Sequence, residues 1–482
     1  MTSRPLVIVF AAATLLLLAA CGGGAGEHDR GSPGKPAAQE APGAVSGDGP
    51  DSAQISTFAL DVDTASYGYA RRTLQEGRRP DPGAVRVEEF VNAFRQDYAE
   101  PEGDEFAVHV DGARMPENDV ALLRVGLQTR SAGEAARRPV SLTFVVDVSG
   151  SMAEPGRLDL VRSALHRLVD RLAPGDQVSI VAFSDEARVV APMTPAGSRA
   201  ALHEAIDGLA VEASTDLAAG LTAGYREASR ARRDIATNRV VLLSDGLANT
   251  GVTAWQAILD QVEEHAGRKI TLLCVGVGRE YGDELMERLA DNGDGAAVYV
   301  SSEEQAREVF GDRLTTHLEL RARDAKAQVV FNPSVVESAR LLGYENRALA
   351  DEEFREDAVD GGEIGPGHSV TALYRVTLRP GARGQVAMAS VRWQDPDTRQ
   401  PAEISESADT GALAGSLWRE APARLQVAAV AATFAGHLRG DAGERPWRLD
   451  ELAGHADRLA AETGDPAVTE LAELIRRAGE AS

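Results

Sequence analysis

Between residues 139 and 320, short apolar runs alternate with amphipathic stretches, and this alternation constrains the fold more than any other feature of the chain. The runs VSLTFVVDVSG, DQVSIVAFS, RVVLLSDG and KITLLCVGVG are each long enough for one strand. They are apolar on both faces, so both faces need a cover, as in a parallel sheet with helices above and below. The intervening segments supply those helices. RLDLVRSALHRLVDRL places Leu158, Val161, Leu165, Leu168, Val169 and Leu172 on one side, which is the period of an amphipathic helix. RAALHEAIDGL, LAAGLTAGYREAS, AWQAILDQVEEHA and DELMERLA read the same way, and a short AAVYV strand with EEQAREVFGDRL completes the series. The expected fold is α/β, with a doubly wound and mostly parallel sheet.

Two of the strands end abruptly in an aspartate, Asp147 in VVDVSGSM and Asp245 in VVLLSDGLANTG. Open parallel sheets bind ligands outside the carboxyl ends of their strands. Ser149 and Ser151 stand two apart in the loop after Asp147, where a tight turn can aim both hydroxyls at one point. Thr215 lies just before Asp216-Leu217, at an expected helix start. Hydroxyls with two carboxylates suit a hard divalent ion such as Mg2+ and not a proton-transfer dyad. Each piece also has a purely structural explanation: Ser149-Gly150-Ser151 as turn and N-cap, Asp245-Gly246 as a turn, Thr215 as a helix cap. Their order along this sheet pattern favours a shared cation site.

DVSGSM matches the D-x-S-x-S motif of von Willebrand factor type A domains, and Thr215 and Asp245 match the later Thr and Asp of that family's metal-ion-dependent adhesion site. The resemblance implies direct coordination by Ser149 and Ser151, with Thr215, Asp147 and Asp245 acting directly or through water. It implies Mg2+, or another divalent cation such as Mn2+ or Ca2+, with one position open to an Asp or Glu from a protein partner. Ala213 and Ser214 depart from the pattern, which usually has glycines there. FALDVDTASYGYARR, VRVEEFVNAF and the C-terminal strands and helices resemble bacterial YfbK-like lipoproteins, over nearly all of residues 56–482. The expected function is metal-dependent protein binding, for adhesion or complex assembly, and not catalysis. The alternatives are a metal-dependent hydrolase or phosphotransferase, and a structural envelope protein with a vestigial metal site. A base poised beside the metal would favour the enzyme.

The termini and flanks complete the expected organisation. In residues 1–21, Arg4 precedes an apolar run from Leu6 to Ala20 that has the length of a signal-peptide core. Leu18-Ala19-Ala20-Cys21 resembles the lipobox of bacterial lipoproteins, which implies a lipidated, palmitate-bearing Cys21 after cleavage. The alternative is an ordinary secretory signal with an incidental Cys. Gly22 is not the Asp that favours inner-membrane retention, so the expected location is the cell envelope, lipid-anchored on the extracytoplasmic side, at the outer membrane if the cell has one. Residues 22–55 read as a disordered tether rich in Gly, Pro, Ala and Ser. Residues 56–138 read as an α+β region, 321–410 as β-rich and 411–482 as helical, on faces such as Val427, Val430, Phe434 and Leu438. The strands at 105–130 and 321–405 are expected to pair into a β-sandwich, with the 139–320 domain inserted between them. Cys274 lies in a buried strand, so no intramolecular disulfide is expected. The net charge of −24 and the lack of a basic stripe argue against nucleic acid as a partner. The oligomeric state is open.

Other chemistries fit less well. Asp61-Val62-Asp63-Thr64 resembles the first motif of haloacid-dehalogenase-like phosphotransferases, but the partner lysine is missing: Lys35, Lys269 and Lys326 lie in unsuitable contexts. VDVSGSM lacks the G-x-S-x-G elbow of a serine hydrolase, and His166, His203 and His265 sit inside helical segments. Asp291-Asn292-Gly293-Asp294-Gly295 is too short for a Ca2+-binding helical hairpin loop and reads as a turn. Asp351-Glu352-Glu353 reads as a solvated face.

Overall fold

The computed structural model describes residues 54–481 except 61–63, 104–105, 118, 132–137, 246–254, 279–283, 301–302, 308, 311–319, 358, 360 and 442–446. The described chain begins with strand β1 (Ile55–Ala59), helix α1 (Ala65–Gln75) and short helix α2 (Val87–Asn92). A hairpin of β2 (Ala107–Arg114) and β3 (Val120–Gln128) follows. The spacing of Val87, Phe90, Val91 and Phe94 predicts a longer α2; the helix stops at Asn92, yet Phe94 is still buried.

The α/β segment runs β4 (Val140–Asp147), α3 (Leu158–Arg171), β5 (Gln177–Phe183), β6 (Ala187–Pro195), α4 (Arg199–Asp207) and α5 (Leu217–Arg230). It continues with β7 (Thr237–Ser244), α6 (Trp255–Gly267), β8 (Ile270–Val277), α7 (Glu284–Asn292), β9 (Ala296–Val300) and α8 (Glu303–Arg307). The sheet order is β6-β5-β4-β7-β8-β9, parallel except for β6. Every residue of β4 and β8 is buried, as the unbroken apolar runs require. Alternate side chains feed two cores. Leu142, Phe144 and Val146 pack with residues of α3 such as Val161 and Leu165, while Val145, Leu242 and Cys274 pack on the other face with α5, α6 and α7. Strand β6 is absent from the sequence reading for a physical reason. It is an antiparallel edge with only Ala191 buried, and Pro192 and Pro195 interrupt its short apolar stretch.

The rest of the chain adds β10 (Ala322–Phe331), β11 (Val336–Leu342), β12 (Ala348–Leu349), β13 (Gly362–Ile364), β14 (Ser369–Leu378), β15 (Gln385–Gln394), β16 (Pro401–Asp409) and β17 (Leu413–Ala414). One sheet runs β12-β1-β10-β15-β16, with β13 also on β10, and a second runs β11-β14-β3-β2-β17. Their facing sides share a core of Phe58, Val329 and Val391 with Leu123, Val125 and Tyr374. Each sheet draws strands from both sides of the α/β segment: Phe58 pairs with Ala327, and Leu123 with Tyr374. The run AQVVFNPSVVESARLLGY, one apolar stretch in sequence, splits at Asn332 to Ser334 into β10 and β11, which join different sheets.

Helices begin at Ala423 and not at residue 411, because residues 413–414 still pair with β2. Helix Ala423–Arg439 packs against α2 and helix Pro466–Glu480 against α1, while helix Leu449–Thr463 packs against these two C-terminal helices. The first of them is buried nearly all round, from Leu425 to Gly436. Among the described residues no helix is long and apolar enough to cross a membrane. Cys21, residues 22–53 of the expected 22–55 tether and Asp61 to Asp63 lie outside the described residues, whereas Ile55 already belongs to β1.

Candidate metal-binding site

Strands β4 and β7 are parallel neighbours with Val146 opposite Leu243, so Asp147 and the Ser244-Asp245 pair leave the sheet side by side at its carboxyl edge. Asp147 is fully buried and both its oxygens are engaged. Oδ1 accepts the backbone N–H of Ser149 at 2.8 Å, and Oδ2 accepts the Ser244 hydroxyl at 2.6 Å. Burial pushes the Asp147 carboxyl above the ordinary aspartate range, the bonds from Ser244 and Ser149 pull it back, and the charge of Asp245 adds to the rise. Ser149 is extended and opens a single 3-10 turn over Gly150–Ala153. That turn brings the Ser149 and Ser151 hydroxyl oxygens within 3.2 Å of each other.

The segment carrying Thr215 is tied down at both ends. The Glu212 N–H donates to the Val148 carbonyl at 2.6 Å, and the Asp216 N–H donates to the Ser184 carbonyl at 2.5 Å. A Cβ on Gly150 would stand 3.5 Å from the Ala213 carbonyl, so this segment passes directly against the Ser149–Ser151 turn. The Asp216 carboxylate caps α5 by accepting from Ala219 N–H at 3.0 Å. Thr215 itself is half-buried and is not the cap. Ala213 and Ser214, which stand where glycines are usual, are exposed.

Two participants carry no mark in the sequence reading. Arg157, the residue before α3, has a side chain only 7% exposed and donates from Nη1 to Asp245 Oδ2 at 2.5 Å. The same nitrogen lies 3.2 Å from the Ser151 carbonyl, and Nη2 pairs with Glu154 at 2.8 Å. An Arg at a helix start reads as a solvated charge, so spacing alone does not single it out. Ser244 was findable: it stands beside Asp245, at the end of a strand that must neighbour β4.

The donor set fits a small hard cation. Two cis ligands at an octahedral Mg2+ lie about 3 Å apart for metal–oxygen bonds of ~2.1 Å, close to the separation of the serine hydroxyls. Among the described residues no group of three or more His, Cys, Asp or Glu side chains is placed to hold a metal. A cation here would therefore have to rest on hydroxyls and on Asp147 and Asp245. His166 and His203 lie elsewhere, between α3 and α4, with their Nδ1 atoms 2.6 Å apart and their Nε2 atoms on Asp207 and Asp170.

Residues 141–312 match the family described as von Willebrand factor type A domain. The chain contains a von Willebrand factor type A domain. Beyond the type A domain, residues 316–480 match the family "Uncharacterized protein YfbK, C-terminal", and residues 47–124 match one described as von Willebrand factor. Uncharacterized protein YfbK of Escherichia coli is 35% identical over 355 residues, or 72% of this chain and 61% of that protein. Protein sll0103 of Synechocystis is 30% identical over 39% of this chain and 44% of its own length. Human inter-alpha-trypsin inhibitor heavy chain H4 is 31% identical over 32% of this chain and 18% of its own length. The chain thus spans 61% or less of the length of these relatives. Among solved structures, the von Willebrand factor type A protein from Catenulispora acidiphila aligns at a TM-score of 0.43 and 19% identity, over 75% of this chain and 87% of that one.

Proposed function

We propose that the protein is a lipid-anchored, extracytoplasmic binding module, and not an enzyme, whose type A domain takes an Asp or Glu of a protein partner through a divalent cation. Type A domains are commonly involved in protein interaction and metal-dependent adhesion. Mg2+ is the expected ion, with Mn2+ or Ca2+ as substitutes. Ser149, Ser151 and Thr215 would hold it, and Asp147 and Asp245 would supply the negative charge, directly or through water. The observation that carries this reading is the pair of serine hydroxyls 3.2 Å apart beside a buried carboxylate whose two oxygens are both hydrogen-bonded. Asp147 is held still by those bonds, so it can orient Ser149 without having to move when a cation enters. When bound, the cation supplies a positive centre for the partner's carboxylate. Residues 1–21 support export and lipidation at Cys21, and the tether then sets the reach from the membrane.

The test is capture of partner from an envelope extract with and without chelator, alongside Mn2+ titration. Wild type should bind Mn2+ and capture a chelator-sensitive partner, whereas Ser149→Ala/Ser151→Ala should lose both with its fold retained. Unaltered Mn2+ affinity in that variant sinks the site. Cys21→Ser should free the protein from membranes; continued attachment sinks the anchor. One observation favours a second reading, an envelope protein with a vestigial site: Arg157 already neutralises Asp245. Absence of Mn2+ binding by wild type would decide for it.

A further inference from the structure

We infer that Arg157 is a tethered counter-cation that competes with the divalent ion for Asp245 and so sets the threshold at which the site loads. The inference rests on the metal-site reading above. Asp245 has a side chain only 2% exposed, and its 2.5 Å partner is the Arg157 guanidinium. A dication arriving among Ser149, Ser151 and Asp245 would meet that fixed charge at close range and with little water to screen it. The Nη1 contact with the Ser151 carbonyl, 3.2 Å away, puts the guanidinium against the same turn that carries the serine hydroxyls. Loading the site therefore requires the Arg157–Asp245 contact to weaken or break.

The surroundings provide both a seat and an exit for the guanidinium. Gly278, at φ +115°, leaves the space the arginine stem occupies: a Cβ there would stand 3.2 Å from Arg157 Nε and 3.6 Å from its Cγ. On the other side Nη2 already holds Glu154, whose side chain is 66% exposed. The guanidinium can swing outward onto Glu154 and into water without losing every partner. Asp245 and Glu154 are thus the inner and outer holds of one charge. The metal-free protein engages both holds, and the loaded protein keeps only the outer one. Partner binding through the cation is then coupled to the position of the 154–157 turn.

Mn2+ affinity of the full chain, followed by electron paramagnetic resonance, tests this, with thermal unfolding of the metal-free protein as the second readout. Arg157→Gln should bind Mn2+ about tenfold or more tightly than wild type, given the coupling typical of close, desolvated charge pairs. Its metal-free form should melt earlier and gain more from added Mn2+. Glu154→Gln, at an exposed position, should fold normally and bind Mn2+ about two- to fivefold more weakly, since it removes only the outer hold. A purely structural arginine would lower the metal-free melting temperature on removal without tightening Mn2+ binding, so the two readouts together separate the roles. Equal or weaker binding by Arg157→Gln overturns the inference while leaving the metal site standing. If Arg157→Gln does not fold, Glu154→Gln decides: weaker binding supports the inference, and unchanged or tighter binding overturns it. Failure of wild type and both variants to bind Mn2+ overturns the metal-site reading and the inference with it.

Discussion

At the scale of residues, the site is a set of oxygen atoms held in place by other oxygen and nitrogen atoms, and Ser244 illustrates the dependence. Its hydroxyl donates at 2.6 Å to a fully buried carboxylate. Ser244→Ala leaves Asp147 Oδ2 without that donor at a buried position. Hydrogen bonds to charged groups contribute about 1.5–3 kcal/mol, so the variant should lose about 2 kcal/mol in urea unfolding. A loss below ~0.5 kcal/mol would mean that another donor, or a proton on Asp147, takes its place. The contrast between Ser149 and Arg157 shows what was legible at this scale. Asp147, Ser149 and Ser151 draw the eye in the sequence because they lie within five residues at a strand end, where chemistry and sequence spacing coincide. Arg157 was not, because its meaning lies in a contact with Asp245, 88 residues away. His166 and His203 are a similar case: each reads as an ordinary helix residue, and only the packing of α3 on α4 makes them neighbours.

At the scale of elements, legibility followed burial. Strands β4, β7 and β8 announce themselves because both faces are covered, whereas the edge strands β6 and β16 have mostly exposed or half-exposed residues and carry too weak a pattern. Helix α5 adds a feature that period alone does not reveal. Gly220 and Gly224, four apart, face the sheet; a Cβ on Gly224 would stand 2.3 Å from Val145 Cγ2, and one on Gly220 would stand 2.6 Å from Phe183. The helix that follows Thr215 therefore lies unusually close to the strands that carry Asp147. Gly224→Ala improves helix propensity but forces Val145 or the helix to move; overpacking of this kind costs about 1–3 kcal/mol. Urea unfolding should show the net loss, and a stabilised variant would contradict this packing. The same buried stripe also takes part in a pH dependence. His265 of α6 stacks on Tyr225 at 4.3 Å, and burial, with Arg268 adding and Glu264 opposing, holds its imidazole below the ordinary value. The folded chain then binds fewer protons at this position than the unfolded chain. Its contribution to stability is complete above the unfolded value of about 6.5 and is lost as pH falls through the lower folded value. His265→Gln should flatten the fall in melting temperature between pH 7 and 5, and an unchanged slope would remove His265 as its source.

At the scale of the whole molecule, the chain leaves the sandwich after β3 and returns to it at β10, so the sandwich cannot be assembled from one side of the type A domain alone. Strand β10 pairs along its length with β1 and β15, and β14 with β3 and β11. A fragment of residues 321–482 would lose β1 and β3, exposing two strand edges and removing Phe58, Leu123, Val125 and Leu127 from the shared core. It would also strip α1 and α2 from the C-terminal helices, including the edge-on contact of Phe90 with Phe434 at 6.0 Å. The contacts that tie the type A domain to the sandwich are of another kind. Arg138 pairs with Asp397 at 2.7 Å, Lys269 donates to the Asp397 carbonyl at 2.9 Å, and Arg323 pairs with Asp294. Such polar contacts, the first two of them exposed, contribute little compared with several shared core side chains. The fragment 321–482 should therefore be insoluble when expressed by itself and become soluble, with sheet and helix signals in circular dichroism, when residues 54–130 are expressed beside it. A chain in which residues 139–320 are replaced by a short flexible linker should keep the same signals, because both sheets and the helical layer retain their partners. A soluble, cooperatively folded 321–482 fragment would show that β10 and β14 do not need the strands supplied from before the type A domain, and the inserted arrangement would then matter for position and not for folding.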